Sequence, residues 1–239
     1  LTGRYKHNQV SLQEVQVENM QLSQSDPNEQ VELLIQKYGD SPWVKSIVAS
    51  LPMVGAFVDS HFNSMANEIY QRRIESLFSE LHQEIRFLNS RKIDEQFLVS
   101  EEFFDLAQNA FSRVIRISDI ERTSTIARII AESITGNPPS NIPSFDLINV
   151  IGEMSPSEAL MFGEVGKIYM HHRDRLSGSE NTLFSVDDVV DLLPTELKVN
   201  ASFLCARLES KGLFGSIFEN YCLEPAGEEL LKYFKSQCL

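Results

Sequence analysis

The sequence predicts an all-α protein: a bundle or hairpin of long helices, followed by a smaller helical module that holds a short β-ribbon. Three observations carry that expectation. Apolar residues recur at steps of three and four through 54–90, the stripe of a long amphipathic helix. Ser100, Ser155 and Ser185 each stand where a helix needs an N-cap, with acidic residues in the turn that follows. Only the stretch from Leu213 to Leu223 reads as two strands about a turn. At 239 residues and 42% hydrophobic, the chain has enough apolar content for a packed core and enough length for one large domain or two small ones, so wholesale disorder is excluded.

The elements follow in order. Residues 1–30 are rich in Gln, Asn and Ser, and 1–42 is expected to be a mobile arm ending in a short helix from Val31 to Tyr38. Val10, Leu12, Val15 and Val17 alternate as strand residues do, so the arm is also suited to adding to a partner's sheet edge. Gly39 and the Asp40-Ser41-Pro42 turn end that helix. The bundle is expected over 43–136. It opens with a segment apolar on nearly all faces, carried by Trp43, Ile47, Val48, Leu51, Val54 and Phe57, which requires cover by protein or lipid. The long helix over 54–90 carries Val58, Phe62, Met65, Ile69, Leu77, Leu81, Ile85 and Leu88. At about 1.5 Å per residue it is roughly 50 Å long, so its stripe needs a long antiparallel partner or a second subunit. Phe62, Met65, Ile69, Leu77, Leu81 and Ile85 are therefore the candidate oligomerisation residues. Ser100 then caps a helix burying Phe103, Ala107, Phe111, Val114 and Ile115, with Glu101 and Glu102 placed well against its dipole. A further helix from about Ser118 to Ile134 stops at Gly136-Asn137-Pro138-Pro139.

Residues 137–154 form a linker with a short helix. The C-terminal module, 155–239, opens on Ser155-Pro156-Ser157-Glu158, a capping box with Pro at the first helical position. Ser185 with Asp188 opens a short second helix, and a third from Thr195 is expected to bury Leu197, Phe203, Leu204 and Leu208 before Lys211-Gly212. The ribbon follows, and Pro225 starts a closing helix with Leu230, Leu231 and Phe234.

The run Leu208-Glu209-Ser210-Lys211-Gly212-Leu213-Phe214, followed by Tyr221-Cys222-Leu223-Glu224-Pro225-Ala226-Gly227-Glu228, resembles the end of a winged helix. The resemblance covers about 155–236 and implies a Gly-capped third helix, a wing and a returning strand that carries an aromatic residue. The Thr that usually caps the last helix is Glu224 here, which is expected still to accept backbone hydrogen bonds. The arrangement of 43–236 is similar to a diffuse group of uncharacterised bacterial proteins, some of the abortive-infection, Abi-alpha-like type. The residues that carry this likeness are Ser50-Leu51-Pro52-Met53-Val54-Gly55, Lys92-Ile93-Asp94, Phe97-Leu98 with Ser100-Glu101, and Met154-Ser155-Pro156-Ser157-Glu158. It implies a bacterial cytosolic protein linked to phage defence or its regulation, and assigns no catalytic residues.

Charge narrows the function. The 21 Lys and Arg against 34 Asp and Glu give a net charge of −13, which repels a phosphate backbone. Within 154–239 the balance is eight against thirteen, or −5. The third helix of the module offers only Lys198, Asn200, Ser202, Arg207 and Lys211 as candidate nucleic-acid contacts, and the wing tip Glu219-Asn220 is not basic. Protein docking is accordingly favoured over DNA binding for this module.

Catalytic and metal signatures are not legible. His171 and His172 are adjacent, so on a helix they point about 100° apart and suit a basic helix end better than one ion. Asp59 with His61 lacks a third ligand, and Asp187, Asp188 and Asp191 sit where a helix N-terminus stabilises negative charge. No phosphate loop, G-x-S-x-G or H-E-x-x-H occurs. Cys205, Cys222 and Cys238 match no zinc or redox spacing and read as reduced thiols. No secretory signal is read at Leu1, and no apolar run is long enough to span a membrane. The expectation is a cytoplasmic, non-enzymatic interaction or assembly protein without a cofactor, binding another protein and self-associating through the long helix. Two alternatives stand beside it: a winged-helix DNA-binding regulator, and an effector that touches a membrane only after the 43–58 segment is released on activation.

Overall fold

The computed structural model describes residues 27–39, 41–51, 63–88, 93–136, 142–175, 183–218 and 220–234. The arm over 1–26, Val54, Phe57, Phe62 and the Asp59 and His61 pair lie outside the described residues, as do Glu219 and Cys238.

Helix α1 (Pro27–Tyr38) starts four residues before its apolar pattern and ends on Gly39, whose φ of 88° is the left-handed conformation that a helix stop requires. Helix α2 (Pro42–Ala49) has Pro at its first position and buries Trp43, Val44, Ile47 and Val48. Helix α3 (Asn63–Phe87) is the long amphipathic helix of the sequence reading. A short turn of helix, α4 (Glu95–Leu98), follows; the Asp94 carboxylate accepts the Gln96 and Phe97 N–H groups at 3.0 Å each. Helix α5 (Glu101–Val114) is capped by Ser100, whose hydroxyl accepts the Phe103 N–H at 3.1 Å. Helix α6 (Ile120–Ile134) is capped by Asp119, its carboxylate accepting the Glu121 N–H at 2.9 Å. Helix α7 (Ser144–Glu153), from the segment expected to link the two parts, is packed against α5 and α6 through Leu147, Ile148 and Ile151.

Helix α6 is the centre of the bundle. It is covered chiefly by α3 and α7, with α5 and α4 beside them, and eleven of its fifteen residues are buried. Several of these are polar; three of the four buried hydroxyls hydrogen-bond within their own neighbourhood, and Ser124 Oγ is left without a partner. Thr123 donates to the Asp119 carbonyl at 3.1 Å, Thr125 to the Glu121 carbonyl at 2.8 Å, and Ser133 to the Ile129 carbonyl at 2.8 Å. Small side chains whose one donor is satisfied locally let neighbouring helices approach without a desolvation cost. Around α6 lie Leu77, Phe78 and Leu81 of α3 and Phe103, Leu106 and Phe111 of α5, all essentially inaccessible to solvent.

The C-terminal module begins with helix α8 (Pro156–Arg175). Its capping box is formed in full: the Ser155 N–H donates to Glu158 at 2.6 Å and the Glu158 N–H donates to the Ser155 hydroxyl at 3.1 Å. Phe184 then pairs with Tyr221 as a single antiparallel bridge, its N–H donating to the Tyr221 carbonyl at 2.9 Å and its carbonyl accepting the Tyr221 N–H at 2.8 Å. Helix α9 (Val186–Val190) carries the second complete capping box, Ser185 with Asp188. The predicted third helix is broken in two, α10 (Thr195–Lys198) and α11 (Ala201–Ser210). Gly212, at φ 71°, ends α11, and the Leu213 N–H returns to the Leu208 carbonyl at 3.1 Å, the pattern of a Schellman stop. Strands β1 (Phe214–Ile217) and β2 (Asn220–Leu223) pair antiparallel, Phe214 opposite Leu223 and Ile217 opposite Asn220. Helix α12 (Pro225–Leu231) closes the module. The order helix, bridging residue, helix, helix, ribbon is the one a winged-helix module requires, so the all-helical fold with one small ribbon holds throughout the described residues.

An aromatic cluster fills the module. Phe162 of α8 stands 6.1 Å from Phe214 and 5.0 Å from Phe234, and Phe184 lies 5.2 Å from Phe214, centroid to centroid. Gly227 explains the glycine of the winged-helix pattern: a Cβ there would stand 2.2 Å from the Leu213 carbonyl oxygen. Glu224 does not cap α12 as expected. Its carboxylate lies over Gly215, where a Cβ would meet Oε1 at 2.1 Å, and its N–H donates to the Leu213 carbonyl at 3.0 Å.

The two parts share one core. The buried apolar residues from Leu34 to Phe234 form a single contiguous cluster. Arginines of α6 hold the joint: Arg122 pairs with Asp119 at 2.6 Å and donates to the Met154 carbonyl, while Arg128 donates to the Tyr233 carbonyl at 3.0 Å and faces Glu84 at 3.4 Å.

Candidate docking face of the C-terminal module

The outer side of α9, α10 and α11 is where a winged helix would meet a duplex, and its chemistry follows from which residues the core takes. Ala201, Leu204, Cys205 and Leu208 fall at steps of three, one and three, and these are the buried residues of α11. That stripe leaves Phe203 about 150° off the core direction. Phe203, expected to be buried, is 64% exposed. The break between α10 and α11 adds to this: Val199, in right-handed helical conformation at φ −62° and ψ −26°, is 91% exposed one turn before Phe203. Leu192, in the turn after α9, is half exposed. At the wing, β1 packs against α11 and leads to Phe218, which is 99% exposed with φ 57°. A large side chain in the left-handed region is uncommon and costs about 1–3 kcal/mol, so the tip holds its ring outward at some expense.

The cations behave differently from the expectation. Arg207 Nε donates to Glu158 Oε1 at 3.0 Å, joining α11 to the first turn of α8. Glu158 is 2% exposed. Its burial would by itself raise the carboxyl's affinity for protons, but the Ser155 N–H, the Arg207 guanidinium and the Ser155 hydroxyl outweigh that and hold it below its ordinary value. Lys211 Nζ donates to the Glu153 carbonyl at 3.3 Å, at the end of α7. Two of the three cations offered as nucleic-acid contacts are thus engaged toward the α7–α8 junction. Lys198 is half-buried, and Asn200 and Ser202 are exposed. Acidic groups surround this face. Asp187, Asp191 and Glu196 are exposed, while Asp188 is committed to its capping box and Glu209 accepts a hydrogen bond from Ser216 at 2.5 Å.

The other candidate residues are placed as follows. In the long helix, Leu77 and Leu81 are buried in the chain's own core against α6, and Ile69 and Ile85 are half-buried; Met65 lies on α3. The partner that this stripe demanded is found within the chain, since α6 runs along it. Of the apolar segment, Trp43, Ile47 and Val48 are core residues and Leu51 is half-buried. Among the described residues no helix is long and apolar enough to cross a membrane, and no group of His, Cys, Asp and Glu is arranged to hold a metal ion. His171 and His172 lie in the last turns of α8. Cys205 and Cys222 are buried thiols; burial pushes Cys205 up to about 11 and raises Cys222 as well, the setting of inert rather than nucleophilic sulfur.

The sequence signal for this face was available. The positions 201, 204, 205 and 208 make a cleaner helical stripe than any that includes 203, and Phe203 stands outside it. Compared with known families, curated proteins and solved structures, the chain matches none.

Proposed function

We propose that this chain is a non-enzymatic interaction protein whose acidic winged-helix-like module docks another protein, through the surface that carries Leu192, Val199 and Phe203. One observation carries the reading: Leu192, Val199 and Phe203 stand exposed while Arg207 is paired with the Glu158 carboxylate and Lys211 donates to the Glu153 carbonyl. A nucleic-acid face is built the other way, with cations free to meet phosphates and few large apolar groups in water. A docking face for protein has apolar anchors at its centre and a polar rim. The setting we propose is bacterial phage defence, on the strength of the Abi-alpha-like resemblance of 43–236.

The test is a peptide-library selection on the full chain, repeated with Phe203→Ser. Because Phe203 is exposed, the substitution leaves the fold intact, and selected peptides are expected to lose binding to it. Peptides indifferent to Phe203→Ser, or none selected at all, would overturn the reading. Duplex DNA at low salt is the counter-test. Binding whose salt dependence flattens by about one unit of slope in Arg207→Ala would instead establish the DNA-binding alternative.

A further inference from the structure

From the charge around the exposed apolar stripe we infer that the partner segment is cationic and amphipathic: a helix presenting apolar residues on one face with Lys or Arg flanking them. This rests on the docking reading above and adds the partner's chemistry. Leu192 in the turn after α9, Val199 at the break between α10 and α11, and Phe203 on α11 supply exposed apolar anchors. Glu196 lies three residues before Val199, on the same side of the turn, and Asp191 adjoins Leu192. Both are exposed, as is Asp187 on α9. The nearby cations do not balance them: Arg207 is paired with the buried Glu158 carboxylate, Lys211 keeps its charge but is directed to the Glu153 carbonyl at the end of α7, and Lys198 is a single charge against those of Asp187, Asp191 and Glu196.

Charge complementarity selects among occupants. A second copy of the chain would set Asp191 and Glu196 against like charges, within an assembly whose protomers each carry −13. A duplex or an anionic bilayer meets the same repulsion. A segment with apolar residues at i, i+3, i+4 and i+7 and cations beside them satisfies both features at once, seating its apolar face over Phe203 and its charges against the acidic rim.

The experiment uses the full chain and two designed peptides with one apolar face of leucines, one with Lys at every other position and one with Glu there. Binding is followed by fluorescence polarisation of labelled peptide at physiological salt. The Lys peptide is expected to bind, to weaken by about tenfold or more on Phe203→Ser, and to weaken similarly on the double change Asp191→Lys with Glu196→Lys. The Glu peptide is expected not to bind the unaltered chain and to gain affinity for that charge-reversed variant. Equal binding of both peptides, with sensitivity to Phe203→Ser but none to charge reversal, would overturn the cationic assignment and leave docking standing. Indifference of the Lys peptide to Phe203→Ser would overturn both. Binding of the unaltered chain to vesicles of anionic lipid, or a dimer in sedimentation that Phe203→Ser dissolves, would replace the protein segment with a membrane or a second copy.

Discussion

Leu81→Ala separates two roles for the long helix. Leu81 is 1% exposed and lies among Ile47, Leu77, Phe78, Phe111 and Ile130. The substitution removes three carbons, which is about 2.4 kcal/mol of lost transfer free energy at roughly 0.8 kcal/mol per carbon. The surrounding helices are tied at both ends and relax only in part, so a cavity term brings the total to about 3–4 kcal/mol. For a chain of this size that is a drop of roughly 10 °C in Tm. Urea unfolding followed by circular dichroism, at two protein concentrations about tenfold apart, makes the measurement. The midpoint is expected to fall by the same amount at both, because the stripe is covered by α6 of its own chain. A midpoint that rises with protein concentration would mean that Leu81 is buried by a second subunit. A loss below about 1 kcal/mol would refute the core placement itself.

Three further predictions concern the C-terminal module. Gly227→Ala should cost about 2 kcal/mol or more despite alanine's better helix propensity, because the new Cβ meets the Leu213 backbone carbonyl at 2.2 Å; Gly215→Ala, which meets the movable Glu224 carboxylate, should cost less, and equal losses in urea melts would count against this packing. Glu158 is held below its ordinary 4.5, so its stabilising contribution is complete above that value and is lost as pH falls through the lower, folded-state value. Glu158→Gln should therefore be less stable than the unaltered protein at neutral pH, with the gap closing in acid; a gap constant from pH 7 to pH 3 would refute the assignment. In a Cys238→Ser background, Cys205 and Cys222 should react with a thiol reagent only slowly at neutral pH and fully in denaturant, and stoichiometric labelling of the native chain would show that they are not buried.

Local signals were legible where one residue's chemistry decides the outcome. The Ser155 and Ser185 boxes, the Ser100 cap and the glycines at 39, 136 and 212 stand where the sequence places them, because a hydroxyl three residues before a carboxylate or a glycine after a helix has few competing uses. Tertiary choices were harder. The polar run Arg122-Thr123-Ser124-Thr125 looks like a solvent face, yet it is buried: each Thr satisfies its own donor, and Arg122 pairs with the helix's own cap Asp119 and reaches the Met154 carbonyl at the joint between the parts. The long stripe over 54–90 signalled a missing partner but not its identity, and periodicity alone does not distinguish α6 of the same chain from a second copy. Phe203 was misplaced because its size suggests burial more strongly than its position allows. Of the docking surface, the acidic rim was countable from sequence, whereas the engagement of Arg207 and Lys211 depends on α7 and α8 being brought alongside α11.

The reach of Arg128 sets an order of assembly. Its guanidinium bonds the Tyr233 carbonyl, 105 residues further along the chain. During synthesis the helices up to α7 emerge first and can collapse around α6, but Arg128 then has Glu84 without its second acceptor. The nascent bundle therefore waits, with an arginine and the apolar edge of its core uncovered, until α12 and the residues after it have been made. That interval is when the chain is most exposed to chaperones and proteases, and it ends with a contact whose loop-closure entropy is among the largest in the fold.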